Sequence, residues 1–135
     1  MTKVNLRRVL LVALGGTVGT AARLGLGLVI PDAGGFPIAV LLANVVGALL
    51  IGVLVARPLD RRGETAAADL RLLLGTGVLG GFTTYSAFMT GTVSLWADAP
   101  LVATAYAAGT LALGLGAAAL GLRIGRPRPA SGAAS

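Results

Sequence analysis

The sequence predicts an all-α integral membrane protein with four transmembrane helices, the third of them broken near its middle. Three observations lead there. The chain has 135 residues, 56% of them hydrophobic, with mean hydropathy +0.88, too apolar for a water-soluble domain of this size. Four long apolar intervals, residues 9–31, 36–56, 72–97 and 99–122, make up most of it, and the one charge inside them is Arg23. Each interval reaches the roughly 20 residues that cross ~30 Å of hydrocarbon at ~1.5 Å per residue. Within the third, residues 80–88 read Gly-Gly-Phe-Thr-Thr-Tyr-Ser-Ala-Phe. Paired glycines, clustered hydroxyls and three aromatics do not suit a lipid-facing helix. Backbone that leaves the helix at membrane depth survives only where protein or a wet cavity satisfies its polar groups.

The elements follow in order. Lys3, Arg7 and Arg8 ahead of an apolar run imitate a secretory signal. The run continues to Ala22, however, Arg23 follows the small-residue cluster, and three further spans come after. The first interval is therefore expected to be an uncleaved span. Pro31 and Gly34-Gly35 form the first turn, and Pro37 suits the first turn of span two. Arg57-Pro58 ends that span, and residues 58–71 are expected to hold a short amphipathic helix. Asp98-Ala99-Pro100 make the third turn, with Trp96 beside it as an interfacial anchor. Residues 123–135, rich in Pro, Gly, Ala and Ser, are expected to form a disordered cytoplasmic tail. The 21 glycines run through the spans, many at small-xxx-small spacing: Gly15/Gly19, Ala43/Gly47, Ala48/Gly52, Gly77/Gly81, Ala105/Gly109 and Ala112/Gly116. Such faces let helix backbones approach closely in lipid. Four helices enclose little interior, so a paired assembly is expected.

The net charge of +6 invites a nucleic-acid reading that the positions of the charges defeat. Lys3, Arg7 and Arg8 precede span one; Arg57, Arg61, Arg62 and Arg71 lie between spans two and three; Arg123, Arg126 and Arg128 follow span four. All fall on one membrane side, while the other has Asp32 and Asp98 and no Lys or Arg. This positive-inside pattern orients both termini to the cytoplasm. The absence of cysteine and histidine excludes thiol catalysis, disulfides and the usual metal ligand and general base. With no nucleophile–base pair either, an enzyme is not expected.

Few polar groups remain inside the spans. Arg23 is either a functional or structural charge, bonded for instance to a neighbouring protomer's carbonyls, or a side chain that snorkels to the interface. Asn44 is the one amide within a span; it either ties two helices together or turns its donors to a polar pathway. Tyr106 and Thr110, four apart, share a helix face, as packed hydroxyls or as a line of donors. In the signature stretch, Gly80, Gly81 and the Thr83-Thr84 pair are the natural place for a break. A broken helix presents carbonyls from one half and amides from the other, which makes an ion site at the membrane centre. Tyr85 and Phe88, three apart, project from one face of the following half-helix, and the positive edges of two rings suit an anion. A kinked, tightly packed helix is the plainer alternative.

The stretch 80–88 resembles the central signature of the CrcB/Fluc family of fluoride channels, Gly-Gly-hydrophobic-Thr-Thr-Phe-Ser-x-Phe. Gly15-Gly16-x-x-Gly19-x-x-x-Arg23 is similar to that family's first-span motif, and Ala43-Asn44-x-x-Gly47 to its second-span motif. With four spans, the likeness covers residues ~5–122. It implies a small antiparallel dimer with two fluoride pathways. It implies a structural sodium ion at the dimer centre, held by backbone oxygens of Gly80 and Thr83. It also implies an anion pathway through Asn44, Thr84, Tyr85, Ser86, Phe88, Tyr106 and Thr110. The departure is Tyr85, which stands where the family has its first phenylalanine and adds a hydroxyl.

Fluoride is small and strongly hydrated, so a membrane path must replace its water with fixed donors that do not trap it. Asn44, the Thr and Ser hydroxyls and ring edges supply these without a full charge. The expected function is a passive, fluoride-selective channel that lets the cell shed the toxic anion across its inner (plasma) membrane. A proton-coupled small multidrug-type exporter is an alternative, but it needs an acid inside the membrane. Asp32, Asp60, Glu64, Asp69 and Asp98 all lie in or beside loops. A structural membrane subunit would account for the glycines but not for the 80–88 cluster. The charge bias fixes one orientation, so the expected partner is an oppositely oriented homologue or, failing that, an inverted copy of the same chain.

Overall fold

The computed structural model describes residues 5–59 and 63–127, and among these four helical stretches are long and apolar enough to cross a membrane. The first, α1 (Leu6–Val29), starts at Asn5, whose side chain accepts the Arg7 N–H at 3.1 Å. That bond satisfies one of the amides every helix start leaves unpaired. After α1 the chain reverses through Ala33–Phe36. Gly34 (φ 60°) and Gly35 (φ 81°) both take the left-handed region, and Ala33 and Phe36 exchange backbone hydrogen bonds of 3.3 and 3.0 Å. Positive φ at both central residues is what a tight two-residue turn demands and what glycine alone adopts freely. Pro37 then precedes α2 (Ile38–Ala56), an uncharged helix.

The third membrane-crossing stretch is a composite. Its short opening helix, α3 (Glu64–Arg71), lies within the expected amphipathic segment and is tied to α1 by a 2.6 Å ion pair between Asp69 and Arg7. The backbone then widens into a π-helical segment, Leu72–Leu79, tightens to one helical turn, α4 (Gly80–Phe82), and breaks. Helix resumes as α5 (Tyr85–Asp98), and after Ala99 comes α6 (Pro100–Gly125), with proline in its first turn. Against the expected intervals, helix begins at Leu6 in the first, already at Glu64 ahead of the third, and runs on to Gly125 after the fourth. The rest of the expected tail, from Arg128 on, lies outside the described residues, as do Lys3, Asp60, Arg61 and Arg62.

The break falls on Thr83 and Thr84 alone, both extended (φ/ψ −78°/154° and −150°/121°), while Gly80 and Gly81 stay helical. β-Branched threonine accepts extended backbone readily and brings its own capping hydroxyl. Gly81 is needed for contact instead, as is Gly77 one turn earlier, whereas a Cβ on Gly80 would meet nothing closer than 3.8 Å. A Cβ on Gly81 would stand 3.0 Å from the Gly16 Cα, and one on Gly77 2.9 Å from the Gly15 Cα. Here α1 and the first half of the third span lie backbone to backbone. A second such seam joins α2 to α6, where a Cβ on Gly121 would stand 3.1 Å from the Gly52 Cα. Gly109 and Gly116, expected as packing positions, meet nothing within 4 Å in this chain. The core is small: Phe88, Leu95, Ala103 and Tyr106, covered by Phe36, Val40, Leu41 and Ala107. No span has more than 22% of its most apolar stretch buried, so most of the helix surface remains for lipid or a partner.

Candidate functional site: the groove at the helix break

A helix that stops in the membrane must find partners for its loose backbone, and Asn44 on α2 supplies two of them. Its Nδ2 donates to the Thr84 carbonyl at 3.1 Å and its Oδ1 accepts the Thr84 N–H at 2.8 Å. The side-chain amide thereby acts as a stretch of neighbouring strand and ties α2 to the break, leaving one Nδ2 hydrogen over. Thr84 Oγ1 accepts the Ala87 N–H at 3.2 Å, which caps α5, and lies 3.2 Å from the Ser86 hydroxyl. Thr83 takes its own hydroxyl and N–H back to the Leu79 carbonyl, at 2.8 and 2.9 Å.

The carbonyl end of the upstream half is also held. Arg23 Nε and Thr20 Oγ1 donate to the Gly81 carbonyl at 3.3 and 3.4 Å. Arg23 therefore meets a backbone carbonyl of its own chain, at the negative end of a helix, where a cation is stabilised. Thr20 escaped the sequence reading; its hydroxyl at one turn's spacing from Arg23 was the available signal. Because the Thr84 N–H goes to Asn44, the Gly80 carbonyl loses the donor that a continuous α-helix would give it.

Beside the break lies an open-sided groove of about 450 Å³ between α2, the third span and α6. Asn44, Gly80, Thr83, Thr84, Tyr85, Phe88 and Thr110 line it, among walls of Ile51, Leu79, Leu111 and Leu115. Most of the expected pathway residues are thus brought together on one concave face. Tyr106 and Ser86 are not on that wall. Ser86 is exposed next to Thr84, and Tyr106 is packed behind Phe88 at 2% exposure. The two rings of the signature differ: Phe88 is 6% exposed and Tyr85 74%, with centroids 6.0 Å apart and planes tilted by 45°. Among the described residues, the Tyr106 and Thr110 hydroxyls are buried without a hydrogen-bond partner. Buried hydroxyls rarely go unpaired, and each is a donor available to something that enters. The arrangement offers a column of neutral donors and positive ring edges, at the positive end of α5, with no formal charge.

The profile of a family described as "CrcB-like protein, Camphor Resistance (CrcB)" matches residues 10–122. A protein of Allorhizobium ampelinum named fluoride-specific ion channel FluC is 42% identical over 127 residues, covering 90% of this chain and 98% of its own. Proteins of the same name are 42% identical over 120 residues in Paracoccus denitrificans, covering 85% of this chain and 91% of its own, and 41% identical over 123 residues in Thermus thermophilus, covering 89% and 96%.

Proposed function

This chain belongs to the CrcB-like family, and we propose that the groove at its helix break is half of a fluoride pathway through an antiparallel dimer. The protein is a fluoride channel and not an enzyme. The observation that carries the pathway assignment is the convergence of Asn44, Thr84, Phe88 and Thr110 on one uncharged groove beside a break in a membrane-spanning helix.

A fluoride ion leaving water needs several donors at once, each of moderate strength. On the groove wall these are the spare Nδ2 hydrogen of Asn44, the hydroxyls of Thr84 and Thr110, and the ring edges of Tyr85 and Phe88, with the exposed Ser86 hydroxyl 3.2 Å from that of Thr84. The Tyr106 hydroxyl, one turn before Thr110 on α6 and buried behind Phe88, would add a further donor. With no charge in the groove, binding stays weak enough for release, which conduction requires. Passage is downhill, and in a cell that accumulates fluoride it relieves the cytoplasm of a toxic anion. A proton-coupled exporter is disfavoured, since the described acids Asp32, Glu64, Asp69 and Asp98 all stand at span ends.

The fit for sodium rests on the donor set. The Gly80 carbonyl has lost its α-helical donor to the Asn44–Thr84 pairing, and the Thr83 carbonyl lies in extended backbone with none of the described backbone bonds outside the helices reaching it. Hard cations take such oxygens. Gly80 and Thr83 would hold the ion where two protomers meet at their breaks. When bound, it supplies positive charge that joins the two copies and offsets their carbonyl dipoles. The one-sided distribution of Lys and Arg supports a channel in the inner (plasma) membrane with both termini cytoplasmic.

The test is anion efflux from proteoliposomes. Vesicles loaded with fluoride should empty rapidly and those loaded with chloride should not. Equal release of both, or a need for a proton gradient, would overturn the reading.

A further inference from the structure

From the turn between α1 and α2 to the groove wall, four aromatic rings are in successive contact. Phe36 stands edge-on to Tyr106, with centroids 5.2 Å apart and planes at 82°. Tyr106 in turn lies against Phe88, at 5.6 Å and 35°, and Phe88 against Tyr85, at 6.0 Å and 45°. Tyr106 is the one large side chain with essentially no exposure among the described residues. It is therefore held between the two phenylalanines and cannot relax away from either.

Phe36 is itself fixed by backbone. The Gly34-Gly35 turn and the paired Ala33 and Phe36 hydrogen bonds set its direction. The next residue, Pro37, is clamped against α5, where a Cβ added to Gly91 would stand 2.6 Å from the Pro37 Cγ. The turn between the first two spans is thus part of the packing that aims the pathway ring, although it donates nothing to the groove.

We propose that Phe36 is a positioning residue of the channel: seated by the Gly34-Gly35 turn, it wedges Tyr106 against Phe88 and fixes the tilt at which the Phe88 edge faces the anion. The physical reason is that an edge interaction depends steeply on ring angle, whereas a merely greasy contact does not. A side chain of similar volume without a ring would keep the core filled and lose the angle.

The inference rests on the fluoride-pathway reading, and the experiment separates the two. Parent protein, Phe36→Leu, Phe36→Met and Phe36→Tyr are reconstituted at matched density, and fluoride and chloride efflux are measured beside thermal stability and oligomeric size. Parent vesicles that fail to release fluoride, both with the chain alone and with its oppositely oriented homologue co-reconstituted, would overturn the channel reading itself, whatever the variants do. Given a conducting parent, Phe36→Leu and Phe36→Met should assemble normally and lose about tenfold in fluoride efflux, a change equal to one well-oriented aromatic contact. Their fluoride-over-chloride ratio should fall as well. Phe36→Tyr, which keeps the ring, should stay within about twofold of parent, less than half that contact's worth. Parent-like flux in Phe36→Leu or Phe36→Met, or equal impairment in Phe36→Tyr, would overturn the proposal. So would failure of both aliphatic variants to assemble, since Phe36 would then be a folding residue only.

Discussion

Asn44 bears on both readings the sequence leaves open, and the structure shows the first of them. It does tie two helices together, through paired bonds to Thr84, and it also lines the groove. Removing it leaves two part-buried backbone groups of Thr84 unpaired, each worth roughly 1–2 kcal/mol there. Asn44→Ala should therefore cost about 2–4 kcal/mol of stability and abolish fluoride efflux; a variant that keeps full stability by detergent melting would show that the break stands without it. Phe88 and Tyr85 make a different pair of expectations. Phe88 is buried at the groove wall, and Phe88→Ile keeps volume while deleting the ring edge, so flux should drop at least about tenfold with assembly intact. Tyr85 is largely exposed and its neighbours leave room, so Tyr85→Phe should conduct as well as parent or better. Unimpaired efflux by Phe88→Ile would reduce that ring to packing. The identity of these residues was readable because polar and aromatic side chains are scarce in the spans. Phe36 was not singled out, since one more aromatic beside a loop carries no signal until the turn aims it at Tyr106.

At the scale of elements, hydropathy and length located the four spans, but which face meets which neighbour was only half legible. Gly15 does oppose Gly77 across α1 and the third span, while Gly19 meets the backbone of Val78 and Phe82, and Gly81 that of Gly16. Ala105/Gly109 and Ala112/Gly116 have the same spacing, yet α6 uses Gly121 against Gly52. Spacing tells which faces are smooth; it does not tell what lies on them. The π-helical stretch Leu72–Leu79 has no sequence signal at all, because a segment that is apolar all round has no periodicity to widen. The break was legible as the set Gly80, Gly81 and Thr83-Thr84, and it falls on the two threonines of that set. Gly81 stays helical and serves close contact with α1, and two threonines carry the extended backbone because Asn44 and their own hydroxyls satisfy it. A direct check contrasts two glycines of α6. Gly121→Val places a branched side chain against the α2 backbone, and overpacking of this kind costs roughly 1–3 kcal/mol or more. Protease protection of α2 and α6 should fall. Gly116→Val faces open space in the chain and should leave that protection unchanged, so any effect it has should appear only in oligomeric size.

For the whole molecule, the exposed helix surface and the charge pattern pull in different directions. A groove built by one chain is open-sided and calls for a partner. An antiparallel partner must enter the membrane the other way up. The described arginines Arg7, Arg57, Arg71, Arg123 and Arg126 sit at the ends of successive spans that alternation puts on one side, whereas Asp32 and Asp98 lie on the other. Even a short-loop bias of a few Lys and Arg fixes orientation during insertion, and here Arg8 and the basic residues outside the described segments add to the same side. Most copies should therefore insert with both termini cytoplasmic, and the channel in its cell should pair this chain with an oppositely oriented homologue. A homodimer can still arise in detergent, where protomers re-pair without regard to topology, so purified protein is the wrong place to decide. The decisive measurement is a C-terminal topology reporter, active on one side of the membrane only, on the chain expressed alone. Signal from the cytoplasmic side alone is the expected outcome, accompanied by weak fluoride resistance until the homologue is supplied. Comparable signal from both sides would overturn the paired-homologue idea and make this chain its own inverted partner.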